Sequence, residues 1–237
     1  MKNSSRIFAQ DDLVSNPTAR VPVCLVLDVS GSMAKAEGQG RSAIAELNRG
    51  VKLFYRQTAA DEIARYSAEV AVVTFGGSST VQVVSDFKTL DENETGPEFQ
   101  AAGNTPMAEA VLQALKMLDE RKNKYKESGV DYFQPWLVLM TDGIPTSDPG
   151  LLAEAIGRTV EQVNARKITV FPIGIGSEAD LSILRRFSPK YGAMRLKGLN
   201  FCEFFAWLSQ SVSRTSQSMP GERIELDESE FVSWADI

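Results

Sequence analysis

The 237-residue chain contains no histidine. That single absence removes the Ser-His-Asp triad, the Cys-His dyad and every histidine-based zinc site. Cysteine is nearly as scarce. Cys24 lies inside an apolar run and Cys202 near the last helical pattern, positions that suit buried free thiols better than a disulfide framework. No run of about 18 apolar residues marks a membrane span, and the opening "MKNSSRIFAQDDLVS" lacks the apolar centre of a secretory signal. The expected location is therefore the cytoplasm. Basic charge is also short: 25 Lys and Arg face 31 Asp and Glu, a formal net charge of −6. A surface for nucleic acid or anionic membrane needs a basic footprint, so neither is an expected partner. The acids are unevenly placed. The closing stretch "MPGERIELDESEFVSWADI" holds Glu222, Glu225, Asp227, Glu228, Glu230 and Asp236 against Arg223 alone, which leaves the body of the chain close to neutral.

At 43% hydrophobic residues the chain is long enough to bury a substantial core. Four short apolar runs, "VPVCLVL" (21–27), "EVAVVTF" (69–75), "WLVLMT" (136–141) and "ITVFPIGI" (168–175), are rich in branched residues and too short for helices. Three of them are apolar on both faces, as suits a parallel sheet covered on both sides. "STVQVVSDF" (79–87) alternates instead, after a "GGSS" turn, and reads as an edge strand in a hairpin with the run before it. Between the runs, apolar residues recur at helical spacing: Ile44, Leu47, Val51, Phe54; Ala110, Val111, Ala114, Leu115, Leu118; Leu152, Ile156, Val160, Val163; and Phe204, Phe205, Leu208. Strands alternating with helices predict one doubly wound, Rossmann-like α/β domain, with a mostly parallel sheet, one antiparallel edge strand and helices on both faces. The expected division is an extension over 1–19, the domain over 20–218 and an acidic tail over 219–237 that stands outside the core. The tail's apolar residues Ile224, Leu226, Phe231, Val232 and Trp234 leave a second reading open, docking on a partner.

In an open parallel sheet, ligands bind beyond the carboxyl ends of the strands. Asp28, Ser30 and Ser32 follow the first run, Thr141, Asp142 and Gly143 follow the run at 136–141, and Thr105 precedes a helix with Pro106 at its expected first position. Two carboxylates and three hydroxyls, those of Asp28, Asp142, Ser30, Ser32 and Thr105, are predicted to converge on one edge. An all-oxygen set suits a hard divalent cation, Mg²⁺ first, with Mn²⁺ or Ca²⁺ compatible. Two acids leave much of the double charge uncompensated, so an anionic oxygen from another protein, an Asp or Glu, would complete the site. Each piece has an ordinary alternative: "DVSGS" as a helix cap and "TDG" as a turn. A haloacid-dehalogenase-like phosphatase or phosphotransferase also carries an Asp after its first strand. It needs a second acid two residues on, where this chain has Ser30. "GQGRS" (38–42) lacks the spacing and the lysine of a phosphate loop.

"DVSGS" (28–32), Thr105 in "GNTPM" and Asp142 in "MTDG" resemble, in order and spacing, the metal-ion-dependent adhesion site of von Willebrand factor A domains. The resemblance spans about residues 20–215. It implies that Ser30, Ser32 and Thr105 supply hydroxyl ligands, that Asp28 and Asp142 act directly or through water, and that the protein is a non-enzymatic interaction module. In such relatives, altered metal coordination accompanies movement of the last helix, here about residues 200–218. The stretches "IAELNRGVK", "GNTPMAEAV" and "KESGVDYFQPWLVLMTDGIPTSD" are most similar to bacterial TerY-type proteins of tellurite-resistance clusters. That likeness implies an adaptor in a stress-response or defence system, with a protein phosphatase and a kinase-like protein as partners. The loop "AKAEGQGRSA" is longer than the family's usual turn and lengthens the rim of the site.

Overall fold

A computed structural model describes residues 18–37, 40–221 and 231–236, together with Leu13 and Asn16. The central sheet forms where the sequence is most apolar. Strand β1 (Val21–Val29) is buried along its whole length, and its side chains alternate between two cores. Val21, Val23, Leu25, Leu27 and Val29 enter one, whereas Cys24 and Val26 enter the other. Two short pieces, β2 (Ala36–Glu37) and β3 (Arg41–Ser42), make a small hairpin of their own in the long loop after β1. The other strands are β4 (Ala68–Gly76), β5 (Val81–Lys88), β6 (Trp136–Thr141), β7 (Thr169–Gly174), β8 (Met194–Leu196) and β9 (Ala235–Asp236). The main sheet runs β5-β4-β1-β6-β7-β8-β9. Pairings from β4 through β8 are parallel, and β5 pairs antiparallel with β4, as the alternating run predicts.

Helices cover both faces. α1 (Ala43–Ala60) and α6 (Phe201–Ser216) close the first core, and α3 (Met107–Ser128) and α4 (Pro149–Asn164) close the second. Gly50 of α1 is the point of closest approach to α6, because a Cβ there would lie 2.5 Å from Cδ2 of Phe205. Two short helices, α2 (Glu62–Ser67) and α5 (Leu181–Arg185), are stopped from fraying by Asp61 and Asp180, each accepting two backbone N–H bonds as an N-cap. Pro106 occupies the N-cap of α3, one residue before the position expected for it, with φ −78° and ψ 65°.

The carboxyl terminus differs most from expectation. Residues 231–236 are not an appendage: Phe231, Trp234 and Ala235 are buried, and β9 adds a second antiparallel edge by pairing with β8. Trp234 of α7 (Phe231–Trp234) packs edge-on against Phe204, 5.0 Å between ring centres, and Phe231 meets Trp207 at the same separation. Phe231 and Trp234, two of the apolar residues among the acids, thus find their partner in the chain's own last long helix. The acids Glu222 to Glu230, with Ile224 and Leu226, lie outside the described residues, as does most of the amino-terminal extension.

Glu69, inside a run read as apolar strand, is fully buried at the amino edge of the sheet. Arg121 binds it with two bonds of 2.6 Å, Arg20 approaches to 3.0 Å and the Tyr125 hydroxyl donates at 2.5 Å. A buried charge survives only when it is paired and hydrogen-bonded in this way.

Candidate metal centre

The sheet changes direction of winding at β1, whose neighbours are β4 on one side and β6 on the other. The crevice at such a reversal, beyond the carboxyl ends of the strands, is where an open α/β sheet can hold a ligand. Asp28 stands there with no solvent exposure. Its Oδ1 accepts the backbone N–H of Ser30 at 2.8 Å, which bends the chain out of the strand, and its Oδ2 accepts the Thr141 hydroxyl at 2.5 Å. A 3-10 turn over Gly31–Ala34 follows, and it brings the Ser30 and Ser32 hydroxyl oxygens to 3.0 Å. The Ser32 hydroxyl donates to Asp142 Oδ1 at 2.7 Å. Thr105 faces the same place from the third loop: a Cβ built on Gly143 would sit 3.7 Å from Thr105 Oγ1 and 4.0 Å from Ser32 Oγ. All five residues expected at the site are therefore brought to one edge, four of them in one hydrogen-bonded chain.

Several residues that hold this arrangement were not part of the expected ligand set. Thr141 ties β6 to Asp28 and also accepts the Gly143 N–H at 3.2 Å. Thr146 clamps the third loop: its hydroxyl accepts the Thr105 N–H at 3.1 Å, and its own N–H donates to the Thr105 carbonyl at 2.9 Å. Beneath the ligands the loop after β1 and the loop that carries Thr105 touch backbone to backbone, through Gly31 N–H to Gly103 O at 3.0 Å and Ala102 N–H to Val29 O at 2.9 Å. Such contact leaves no room for side chains. Gly76, at φ +93°, would place a Cβ 2.6 Å from the Ser30 nitrogen, and Gly103, at φ +73°, would place one 2.7 Å from the Gly77 carbonyl. Gly76 belongs to the "GGSS" turn, where the visible signal was a hairpin and the close approach of Ser30 was not.

Electrostatics set the chemistry. Burial pushes the Asp28 carboxyl up to about 6, against the pull of its bonds from Ser30 and Thr141, and the charge of Asp142 adds to the rise. Asp142 is raised as well, chiefly by burial, while Ser32 and Lys35 oppose the shift. Two carboxyl groups are thus crowded into a poorly solvated corner, and among the described residues neither forms an ion pair. Among the described residues no cluster of three or more Asp, Glu or Cys side chains could hold a metal, so any ion here relies on hydroxyls for the rest of its shell. The oxygen spacings suit that role. Neighbouring ligands of an octahedral ion with bonds of about 2.1 Å lie about 3.0 Å apart, and the Ser30–Ser32 and Ser32–Asp142 oxygens are 3.0 and 2.7 Å apart. The donor set fits a hard divalent cation.

Known proteins show the same frame. The SpaC pilus adhesin of Lactobacillus rhamnosus GG is 16% identical, with a TM-score of 0.63 over 83% of this chain and 31% of its own. A von Willebrand factor type A protein of Catenulispora acidiphila is 21% identical, with a TM-score of 0.61 over 83% of this chain and 43% of its own. Proximal thread matrix protein 1 of the mussel byssus, described with a zinc-occupied metal-ion-dependent adhesion motif, is 16% identical, with a TM-score of 0.56 over 83% of this chain and 48% of its own. In sequence, the inter-alpha-trypsin inhibitor heavy chain H2 of Sus scrofa is 30% identical over 115 residues, which are 47% of this chain and 11% of that protein. This chain therefore corresponds to a small part of that relative. The von Willebrand factor type A domain family model matches residues 23–197, from β1 through β8 and across all three oxygen-bearing loops, and on that match the protein belongs to the von Willebrand factor type A domain family.

Proposed function

We propose that the protein is a metal-dependent protein-interaction module. A divalent cation would be held by Asp28, Ser30, Ser32, Thr105 and Asp142 and would accept an Asp or Glu oxygen from a partner. The observation that carries this reading is the hydrogen-bonded chain Ser30–Ser32–Asp142 beside the buried Asp28, an oxygen cluster whose two acids form no ion pair among the described residues. The cation would offset the crowding of the two carboxyl groups and leave an open coordination position toward solvent. A partner carboxylate filling that position gains from the low dielectric of a closed interface. The rim is equipped for contact: Ile144, two residues after Asp142, is 63% exposed, and Lys35 and Glu178, whose charges both act on Asp142, form an exposed ion pair at 3.3 Å.

The all-oxygen donor set favours Mg²⁺. The resemblance of "IAELNRGVK" and "GNTPMAEAV" to TerY-type proteins is the sole ground for the finer part of the proposal, a bacterial stress-response adaptor with phosphatase and kinase-like partners. No helix among the described residues is long and apolar enough to cross a membrane, which is compatible with a cytoplasmic adaptor. A phosphatase mechanism has less support, because the residue two positions after Asp28 is Ser30 and its hydroxyl faces Ser32. Affinity capture from the native host tests the proposal. Partners retained by the wild type are expected to be lost with EDTA and with Asp28→Ala. Partners retained in all three conditions would contradict a metal-bridged interaction.

A further inference from the structure

A trough of about 1330 Å³ lies on the opposite edge of the sheet, beside the starts of β6 and β7, where Trp136 and Thr169 line it. The metal loops leave the other ends of these strands, and a six-residue strand at about 3.3 Å per residue separates the two edges by about 20 Å. The trough is also larger than the roughly 300–1,000 Å³ usual for small-molecule sites.

Its rim is basic. Lys126, Arg166, Lys167 and Lys190 are exposed around it, and none has an acidic partner among the described residues. The lining acid Asp119 is engaged by Lys122 at 2.7 Å. Elsewhere Lys35, Lys52, Arg65, Lys88, Lys116 and Arg158 are each ion-paired. Arg56, Lys124, Arg185 and Arg186 are likewise exposed without an ion pair among the described residues, but the four around the trough line a single concavity of a chain of net charge −6, with Lys190 Nζ resting 4.5 Å from the Tyr191 ring centre. Arg166 carries a further sign. It follows the end of α4 at φ 55°, a left-handed position that glycine fills without strain, and this chain has a cation there. Between these charges Tyr132, Phe133, Trp136 and Tyr191 form the apolar part of the wall and floor, among the polar side chains of Asn123, Gln134, Asn164 and Ser188.

We propose that this trough is a second docking site, independent of metal, for an acidic peptide segment of a partner protein. Cations on the rim would pair with carboxylates, and the apolar floor would take the side chains between them. A polyanion without apolar groups would gain only the rim and would meet the long-range repulsion of an acidic protein. With the metal edge engaged separately, one chain could then hold two partners at once.

Fluorescence anisotropy with the full chain and a labelled peptide of about a dozen residues, in which Glu and Asp alternate with Leu and Ile, tests the idea. The control is the same peptide with Gln and Asn in place of its acids. The acidic peptide is expected to bind, to weaken with added salt and to be unaffected by EDTA or by Asp28→Asn. Lys126→Glu combined with Lys190→Glu is expected to weaken it about tenfold or more. Arg166→Gly is expected to weaken it without lowering the melting temperature, which separates lost charge from lost fold. Equal binding of the amide peptide, preference for a single-stranded oligonucleotide, or no binding would overturn the proposal. Binding that emerges only in a Glu225→Gln, Asp227→Asn, Glu228→Gln variant would also overturn it, assigning the trough to the chain's own acidic run.

Discussion

The Thr141 hydroxyl donates to Asp28 Oδ2 at 2.5 Å and so joins the carboxyl ends of β6 and β1 across the candidate metal centre. A side chain that is outside the proposed ligand set therefore orients one of the two acids that would carry the ion. Replacing it with the isosteric Thr141→Val is expected to leave the fold intact and to weaken divalent-ion binding about 10- to 100-fold, the usual cost of removing a group that orients a ligand. Thr141→Ser, which retains the hydroxyl, should bind nearly as the wild type does. Metal titration by calorimetry on the three proteins makes the comparison.

The raised Asp28 carboxyl has a definite sign in stability. Its proton is held more tightly in the folded chain than in the unfolded one, so its contribution to the stability of the metal-free fold is full below about pH 4 and is lost as the pH rises through about 6. A rise from 3.8 to about 6 corresponds to about 3 kcal/mol. Asp142 is shifted the same way and adds to the trend. Urea denaturation in EDTA at pH 4.5 and pH 7.5 should show the loss, and Asp28→Asn should remove most of it. Divalent ions compete with the same proton, so their affinity should climb over the same interval.

Gly76 is expected to be intolerant of even one methyl group. Gly76→Ala would force a Cβ to 2.6 Å from the Ser30 nitrogen at a positive φ, and overpacking together with backbone strain should cost about 2–4 kcal/mol. Thermal melting of the variant measures the cost. By contrast, Gly143→Ala meets Thr105 and Ser32 only at ordinary contact distance and should fold normally.

The carboxyl-terminal segment should behave as core. Trp234 is 1% exposed among Phe204, Trp207 and Phe231, so Trp234→Ala is expected to destabilise the chain by about 3–5 kcal/mol. A mobile appendage would show no change in the denaturation midpoint.

These residues show where the sequence was readable and where it was not. β1, β4, β6 and β7 were visible because both of their faces are apolar, and β5 because only one is. The oxygen ligands were visible because they follow those runs directly. β8 is three residues long with a polar centre, and β9 only two, so neither has a period to detect. Thr141 and Thr146 act through partners more than thirty residues away in the chain. Phe231 and Trp234 could be recognised as apolar within an acidic stretch, but their destination on α6 depends on the folded path of the chain.

The central claim is that five oxygen-bearing residues on three loops make one divalent-ion site. Calorimetric titration of the metal-free full chain with Mg²⁺ and Mn²⁺, beside Asp142→Ala and Ser30→Ala with Ser32→Ala, tests it most directly. The account predicts one ion per wild-type chain and its loss in both variants, with each variant still melting cooperatively. Unchanged stoichiometry and affinity in either variant would contradict it.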